Sequence, residues 1–291
     1  MENDFSKDMA QVFKNYFKVS KKIINKTAKL KDSSQASLEL EQKGFSEFIS
    51  SAISISIILR ELAADSLFGI QRALQKPLMS YAPFVLYRNL VELASYGYWM
   101  ISTDINQRTR TERYMSYKYD SLVEKIKFLR STGDLEEVTV IEEGLRSFVK
   151  KAESLELKVA KNKHDKVIGF GRMMPSSTEL VNSFTENDST YKIFSAVAHG
   201  KHWAIINSSF KVKKPNIYVF KGIRGGILEK NVDPIAIIYL CLFSIKSMTK
   251  LVAEQFKFFG WDEQPLLDLE KSIKIELMDI TKKYNISITS L

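Results

Sequence analysis

The sequence predicts an all-α protein, a multi-helix bundle with one small β-hairpin insertion near residues 210–230. Glycine and proline number only 12 and 6 among 291 residues, and few helix breakers in a long chain favour long helices. Apolar residues also recur at helical spacing along most of the chain. The exception is 209–231, where short strand-like runs flank a glycine-rich turn at 222–226.

The N-terminal segment is predicted to be an amphipathic, basic helix over residues 5–31. Seven lysines lie between Gln11 and Asp32, at positions 14, 18, 21, 22, 26, 29 and 31. We predict that 1–32 is a basic helix that packs on the core or extends from it, and that 33–291 is a single helical-bundle domain. The net charge of +9 is compatible with a nucleic-acid partner and equally with a solvated helix face.

Further helices are predicted from apolar spacing and capping residues over 36–75, 83–102, 104–130, 135–156, 177–184, 191–206, 234–260 and 262–284. Within the first of these, Ile53 to Ile57 alternates with serine as a strand would, but the helical patterns on either side favour a helix. Residues 158–188 are expected to be irregular outside the short helix.

Composition restricts the classes of protein to which the chain can belong. Cys241 is the one cysteine, so an internal disulfide and a cysteine-based metal site are both excluded. The charged N-terminus has no apolar core of a signal peptide. The longest uncharged apolar stretches, 48–59 and 234–245, are too short to span a bilayer. We therefore expect a cytoplasmic protein with no membrane partner and no cofactor.

A first candidate for chemistry is the pair Arg88 and Glu92 in the predicted helix 83–102. The two side chains are four residues apart, so they share one face of the helix and can pair there. Their neighbours are apolar, and a charged pair in such surroundings is costly to desolvate. The pair is either a buried structural ion pair or part of a polar pocket in which Arg88 binds a phosphate or carboxylate.

A second candidate is the run Tyr191-x-x-x-Ser195-x-x-x-His199-Gly-Lys201-His202. Helical spacing places Ser195, His199 and His202 on one face, and histidine can exchange protons near neutral pH. No third ligand is placed for a metal, and the serine has no strained turn of the kind that activates a nucleophile. His199 is alternatively a core histidine hydrogen-bonded to a neighbour such as Glu92.

A third candidate is the cluster Arg108, Arg110 and Arg113 at the start of the predicted helix 104–130. Arginines beside the free N–H groups of a helix start suit a phosphate. The alternative is that they are solvated and paired with Glu112 or with the acidic helix 135–156.

The order of these motifs resembles a group of bacterial all-helical proteins with an Arg-x-x-x-Glu pair and a later Ser-x-x-x-His-Gly. That group is similar to the HEPN superfamily, helical bundles found in toxin–antitoxin and phage-defence systems. The resemblance covers about 80–206. It implies a metal-independent endoribonuclease that acts as a homodimer on RNA, with an antitoxin or another defence-system protein as partner. The Arg-x(4–6)-His motif of that superfamily is not present before His199.

In place of that motif, we expect any chemistry to take place at a composite site. Arg88 is expected to hold the phosphate, His199 to act as acid or base, and Glu92 to orient His199. Ser195, Lys201 and His202 are candidate substrate-binding residues, together with the three arginines of the cluster. The alternative function is a non-catalytic helical module that binds a nucleotide, a nucleic acid or a protein.

Overall fold

The computed structural model describes residues 2–25, 29–75, 79, 81–186, 189–201, 203–204, 210–220, 223–230 and 233–287. Its helices are α1 Glu2–Asn25, α2 Gln35–Leu40, α3 Ser46–Ala73, α4 Ala82–Ile101, α5 Gln107–Thr132, α6 Leu135–Ser154, α7 Ser177–Phe184, α8 Ser189–Ala198, α9 Pro234–Phe259 and α10 Gln264–Lys283. Its strands are β1 Val159–Lys161, β2 Val167–Phe170, β3 Arg172–Met173, β4 Phe210–Phe220 and β5 Ile223–Lys230. The predicted all-α bundle is confirmed.

The centre of the bundle is formed by α3, α4 and α9. Small residues allow these helices to approach closely: the Ser56 hydroxyl of α3 donates to the Gly97 carbonyl of α4 at 3.0 Å. A Cβ atom on Gly97 would lie 3.0 Å from a methyl carbon of Leu251 in α9. The Ser54 hydroxyl bonds to the carbonyl of Ser50 one turn earlier. The alternating serines of 53–57 therefore sit in a helix.

Helix α9 is long and apolar enough to cross a membrane by length and composition, but 67% of its apolar window is buried inside the fold. Its apolar character follows from its central position. The α9 residue Cys241 is completely buried. The predicted start of this helix at Asp233 and its end at Gly260 are both confirmed, since Asp233 caps the first turn and Gly260 ends the helix with φ +73°.

Helix α1 packs directly on this centre. One face of the helix belongs to the main core, and its members are Phe5, Met9, Ala10, Val12, Phe13 and Tyr16. The Tyr16 hydroxyl also lies 3.2 Å from Thr249 Oγ1 in α9. The helix ends at Asn25, earlier than the predicted residue 31, and 26–28 lie outside the described residues.

Two predicted helices have boundaries that differ from the prediction. The predicted helix 36–75 is two helices, α2 and α3, separated by a turn in which Gly44 has φ +88°. The helix expected from 104 begins at Gln107, because Asn106 is the residue whose side chain caps the first turn, on the N–H of Thr109. A left-handed glycine marks the first boundary and a side-chain cap the second, and apolar periodicity reveals neither.

The expectation that 158–188 is irregular outside its short helix was wrong. β1, β2 and β3 form a small antiparallel sheet that packs on α5. The Ser116 hydroxyl of α5 accepts a bond from the Phe170 N–H at 2.8 Å and so anchors β2. The predicted helix α7 is confirmed, with Ser176 and Glu179 forming a capping box.

The predicted β-hairpin near 210–230 is confirmed as the antiparallel pair β4–β5, with Phe210 opposite Lys230 and Phe220 opposite Ile223. The helix predicted over 191–206 is shorter than expected. Helix α8 covers Ser189–Ala198 and is followed by Gly200 with φ +68°. The part of the prediction at His202 and 205–206 lies outside the described residues.

Candidate functional site

The structure brings three predicted site residues together where α8 packs on α4. Arg88 Nε donates to Glu92 Oε1 at 2.7 Å, and Arg88 Nη1 lies 3.5 Å from His199 Nδ1. The ion pair is 30% and 23% exposed on its two side chains, and His199 is exposed. The site is therefore open to solvent, and the interpretation of His199 as a core histidine is wrong.

The C-terminal cap of α8 explains the position of His199. The N–H of His199 still bonds to the carbonyl of Ser195, so Ser195 lies one turn earlier on the same face. The next two N–H groups, of Gly200 and Lys201, bond back to Val197 and Ala196. These two bonds form a Schellman motif that needs a left-handed residue, which Gly200 supplies. The glycine after the histidine is therefore a helix cap that presents the imidazole.

A tyrosine completes the network. The Tyr191 hydroxyl donates to Glu92 Oε1 at 2.9 Å, so one carboxylate oxygen accepts from both Tyr191 and Arg88. The sequence places Tyr191 in the motif, but no role was predicted for it. Its spacing could have indicated a role, because Tyr191, Ser195 and His199 follow one another at intervals of one helical turn and so share a helix face.

A second tyrosine ties the two helices together beside the site. Tyr81, at the start of α4, donates its hydroxyl to the carbonyl of Ala198 at 2.6 Å. Ala198 is the last residue of α8 and precedes His199. Phe84 and Tyr87 of α4 also pack on Phe194, with ring centroids 5.0 and 5.1 Å apart. These contacts fix the end of α8 against α4, and therefore the distance from His199 to Arg88.

The electrostatics of the network favour a charged arginine and a neutral phenol. Burial raises the pKa of Tyr191, and the charge and hydrogen bond of Glu92 raise it further. For Arg88, burial acts to lower the pKa, but the hydrogen bond and charge of Glu92 outweigh it, so the net pKa is raised. Arg88 thus remains a cation and Tyr191 a hydrogen-bond donor across the physiological range.

The predicted role of Glu92 needs correction. Glu92 was expected to orient His199, but its bonded oxygen holds Arg88 and Tyr191, and Arg88 is the residue next to the imidazole. Glu92 therefore orients the arginine. Of the other candidates, Lys201 is exposed just after the cap, Ser195 is partly exposed, and His202 lies outside the described residues.

The predicted phosphate cluster does not form, and the prediction of Arg110 as a substrate-binding residue was wrong. Arg110 is completely buried and binds Glu39 of α2 through Nε at 2.8 Å and Nη2 at 3.2 Å. Its remaining donors reach the carbonyls of Met100 and Ser102 at 3.1 and 3.2 Å. Each of the three guanidinium nitrogens therefore donates to a partner inside the protein.

The other two arginines point to different neighbours. Arg108 donates to the Glu156 carbonyl and lies 3.7 Å from Glu112. Arg113 donates to the Trp99 carbonyl and lies over the Trp99 ring, beside a cavity of about 290 Å³. Trp99 is eleven residues beyond Arg88 along α4, about 16 Å at the rise of a helix. The arginines therefore do not extend the site at His199.

Within the described part of the chain, no group of three or more histidine, cysteine, aspartate or glutamate residues is placed to hold a metal ion. Comparisons of the chain with protein-family models, curated protein sequences and solved structures found no match. The function is therefore argued from the geometry of the site.

Proposed function

We propose that the chain is a HEPN-like endoribonuclease of the prokaryotic defence or toxin type, which cleaves RNA without a metal ion at Arg88 and His199. One observation carries the proposal: Arg88 lies between a carboxylate that orients it and an exposed imidazole, at 2.7 and 3.5 Å. A fixed guanidinium that can hold a phosphate, beside an imidazole that can transfer a proton, supplies two of the groups that in-line attack of an RNA 2′-hydroxyl uses.

In the proposed reaction the 2′-oxygen attacks the adjacent phosphorus and the bond to the 5′-oxygen breaks. The products are a 2′,3′-cyclic phosphate and a 5′-hydroxyl. The proton of the 2′-hydroxyl passes to Nε2 of the His199 imidazole, whose Nδ1 faces Arg88, and the leaving 5′-oxygen takes a proton from solvent. Arg88 stabilises the negative charge that develops on the phosphoryl oxygens.

Glu92 and Tyr191 are positioning residues in this scheme. By accepting from Nε, Glu92 fixes the plane of the guanidinium, and Tyr191 fixes the carboxylate in turn. A guanidinium held in this way loses little conformational entropy when it binds a phosphate. Lys201 and Ser195, on either side of His199, are proposed to contact the RNA backbone.

The test is cleavage of a mixed RNA pool in EDTA by three proteins: wild type, His199→Ala and His164→Ala. His164 is the matched control, because it is an exposed histidine in the turn between β1 and β2. We expect His199→Ala to lose activity by about a hundredfold or more, with cyclic-phosphate ends on the wild-type products. Its melting temperature should equal that of wild type, because His199 is exposed. Equal cleavage by wild type and His199→Ala, or products with 5′-phosphate ends, would refute the proposal.

The alternative function, a binding module without chemistry, is favoured by one feature of the same network. Arg88, Glu92 and Tyr191 satisfy one another without His199, whose distance of 3.5 Å from Arg88 is at the long limit of a hydrogen bond. RNA retained on a filter but left uncut by wild type in the same assay would support this alternative.

The resemblance extends the proposal to partners and location. We propose a cytoplasmic homodimer that is held inactive by an antitoxin or another defence-system protein. Light scattering of the purified chain measures the dimer directly. A monomeric mass at micromolar concentration would contradict that part of the proposal.

A further inference from the structure

A groove between α1, α3 and α9 has mostly apolar walls. Its volume is about 390 Å³, within the range of roughly 300–1,000 Å³ typical of ligand pockets. All three helices contribute apolar side chains to it: Phe17 and Ile24, Ala64 and Leu67, and Met248 and Val252. None of the described residues that line it belongs to the network of Arg88 and His199. The groove is therefore separate from the proposed catalytic site.

The two ends of this groove differ in polarity. At one end Leu67 lies on the floor, and the ring of Phe17 packs on that of Phe68 with centroids 5.9 Å apart. At the other end the α3 residue is Arg60. Seven residues separate Arg60 from Leu67 along α3, a distance of about 10 Å at the rise of a helix. The groove thus runs from a cation to an apolar end over about the length of a short hydrocarbon chain.

The guanidinium of Arg60 is held in place by the protein core, and its side chain is only 14% exposed. Gln255 of α9 is completely buried, and its Nε2 donates to the carbonyl and the hydroxyl of Ser56 at 3.1 Å each. Because the amide nitrogen is bonded in this way, the amide oxygen faces Arg60, whose Nη1 donates to it at 3.0 Å. A cation fixed before a ligand arrives loses little conformational entropy on binding.

Arg60 also has donors to spare. Its Nε and Nη2 donate to Glu61 Oε1 at 3.0 and 2.5 Å, and the Glu61 side chain is 64% exposed. A guanidinium has five N–H groups, so one N–H on each terminal nitrogen has no partner among the described residues. Ion pairs with an exposed carboxylate are weak. Arg60 can therefore accept a second carboxylate, for which Glu61 is a competitor.

We propose that this groove binds a medium-chain monocarboxylate, with the carboxylate on Arg60 and the hydrocarbon chain along the apolar walls towards Phe17 and Leu67. Arg60 contributes charge-assisted bonds to the carboxylate oxygens. Burial of the chain in an apolar groove supplies the remaining affinity. Lys21 lines the rim, so the positive charges exceed the single carboxylate, Glu61, among the described lining residues. This balance favours an anionic head group over a neutral or cationic one.

The experiment is calorimetric titration of the full chain with octanoate, butanoate, octan-1-ol and octylammonium. Octanoate should bind. Octan-1-ol and octylammonium should bind about tenfold more weakly or worse, because they lack the carboxylate. Butanoate should bind about a hundredfold more weakly, because its chain is half as long. No binding of octanoate at millimolar concentration, or equal binding of octanoate and any of the other three, would overturn the proposal.

Three variants separate a ligand contact from a structural role. Arg60→Gln should weaken octanoate binding about tenfold. Glu61→Gln should tighten it about threefold, because the competing carboxylate is removed, and a purely structural role of Arg60 would not produce this gain. Lys22→Gln, on an exposed lysine of α1 outside the groove, should bind octanoate as wild type does. If Arg60→Gln does not fold, Glu61→Gln decides alone. Unchanged or weaker binding in Glu61→Gln would exclude the contact with Arg60.

Discussion

Arg110 is a charged residue that stabilises the fold from inside the core. It joins α2, the end of α4 and α5, and its guanidinium lies 4.2 Å from the ring centre of Phe258 in α9. Removing one partner of a buried pair leaves the other charge uncompensated. We expect Arg110→Ala and Glu39→Ala each to lower the free energy of unfolding by about 3–5 kcal/mol, measured by urea denaturation.

The control is Arg130→Ala, which removes an exposed ion pair with Glu142 on the α5–α6 hairpin and should change stability little. The double variant of Arg110 and Glu39 should be less destabilised than the sum of the two single variants, because the second removal leaves no unpaired charge. Additive losses would contradict the direct coupling of the two residues.

Glu270 gives a prediction of pH dependence. Burial raises the pKa of its carboxyl, and the charges of Lys246 and Lys274 only partly oppose this. A raised pKa in the folded state means that stability is lost as the pH rises from the ordinary glutamate range through the raised value. Glu270→Gln should therefore melt at a higher temperature than wild type at pH 7, and the gain should shrink towards pH 4.

The control for this prediction is Glu143→Gln, on an exposed glutamate of α6. Thermal melts of both variants across that pH range, followed by circular dichroism, make the comparison. A gain for Glu270→Gln that is the same at pH 4 and pH 7 would contradict a titration effect.

For single residues, the sequence predicted contacts within one helix better than contacts between helices. The spacing of Arg88 and Glu92 was enough to predict their ion pair, which the structure confirms. The burial of Arg110 depends on Glu39, which is 71 residues away in the chain. The helical period shows on which face of α5 Arg110 lies. It does not show that the carboxylate of Glu39, from α2, packs against that face.

Among the helices, two C-terminal glycines form a matched pair for experiment. Gly260 ends α9 with φ +73° and Gly133 ends α5 with φ +85°. A Cβ on Gly260 would lie 3.0 Å from Ser34 Cβ, whereas a Cβ on Gly133 meets nothing within 4 Å. Both alanine variants should lose about 1–2 kcal/mol for the left-handed backbone. Gly260→Ala should lose more, and equal losses in urea denaturation would contradict the close approach to Ser34.

The helices that carry a long run of regularly spaced apolar residues, such as α4 and α9, were predicted correctly. The errors lie at breaks and short elements. The turn between α2 and α3 depends on Gly44 at positive φ, and the strands β1–β3 are at most four residues long. Strands this short have no measurable periodicity, and their stability comes from packing on α5, which sequence does not reveal.

At the scale of the whole molecule, the main apolar core is completed by the N-terminal helix α1. Phe5, Met9, Val12, Phe13 and Tyr16 belong to the same apolar core as α3, α4 and α9, and none of them is more than 5% exposed. A chain of residues 33–291 would expose that core surface to water. We expect this truncated chain to aggregate or to lose its cooperative thermal transition. A soluble truncated chain with the wild-type melting temperature would show instead that 33–291 is an independent domain.

Cys241, the one thiol of the chain, is enclosed in α9, and burial raises its pKa well above the usual range. Thiol reagents attack exposed thiolates, so the native protein should resist maleimide labelling. A cysteine introduced at exposed Lys192, on α8, would then be the sole reactive position. One spin label there would test the proposed dimer through the distance between two labels, and the proposed binding of RNA through a change in label mobility, with every native residue but one retained.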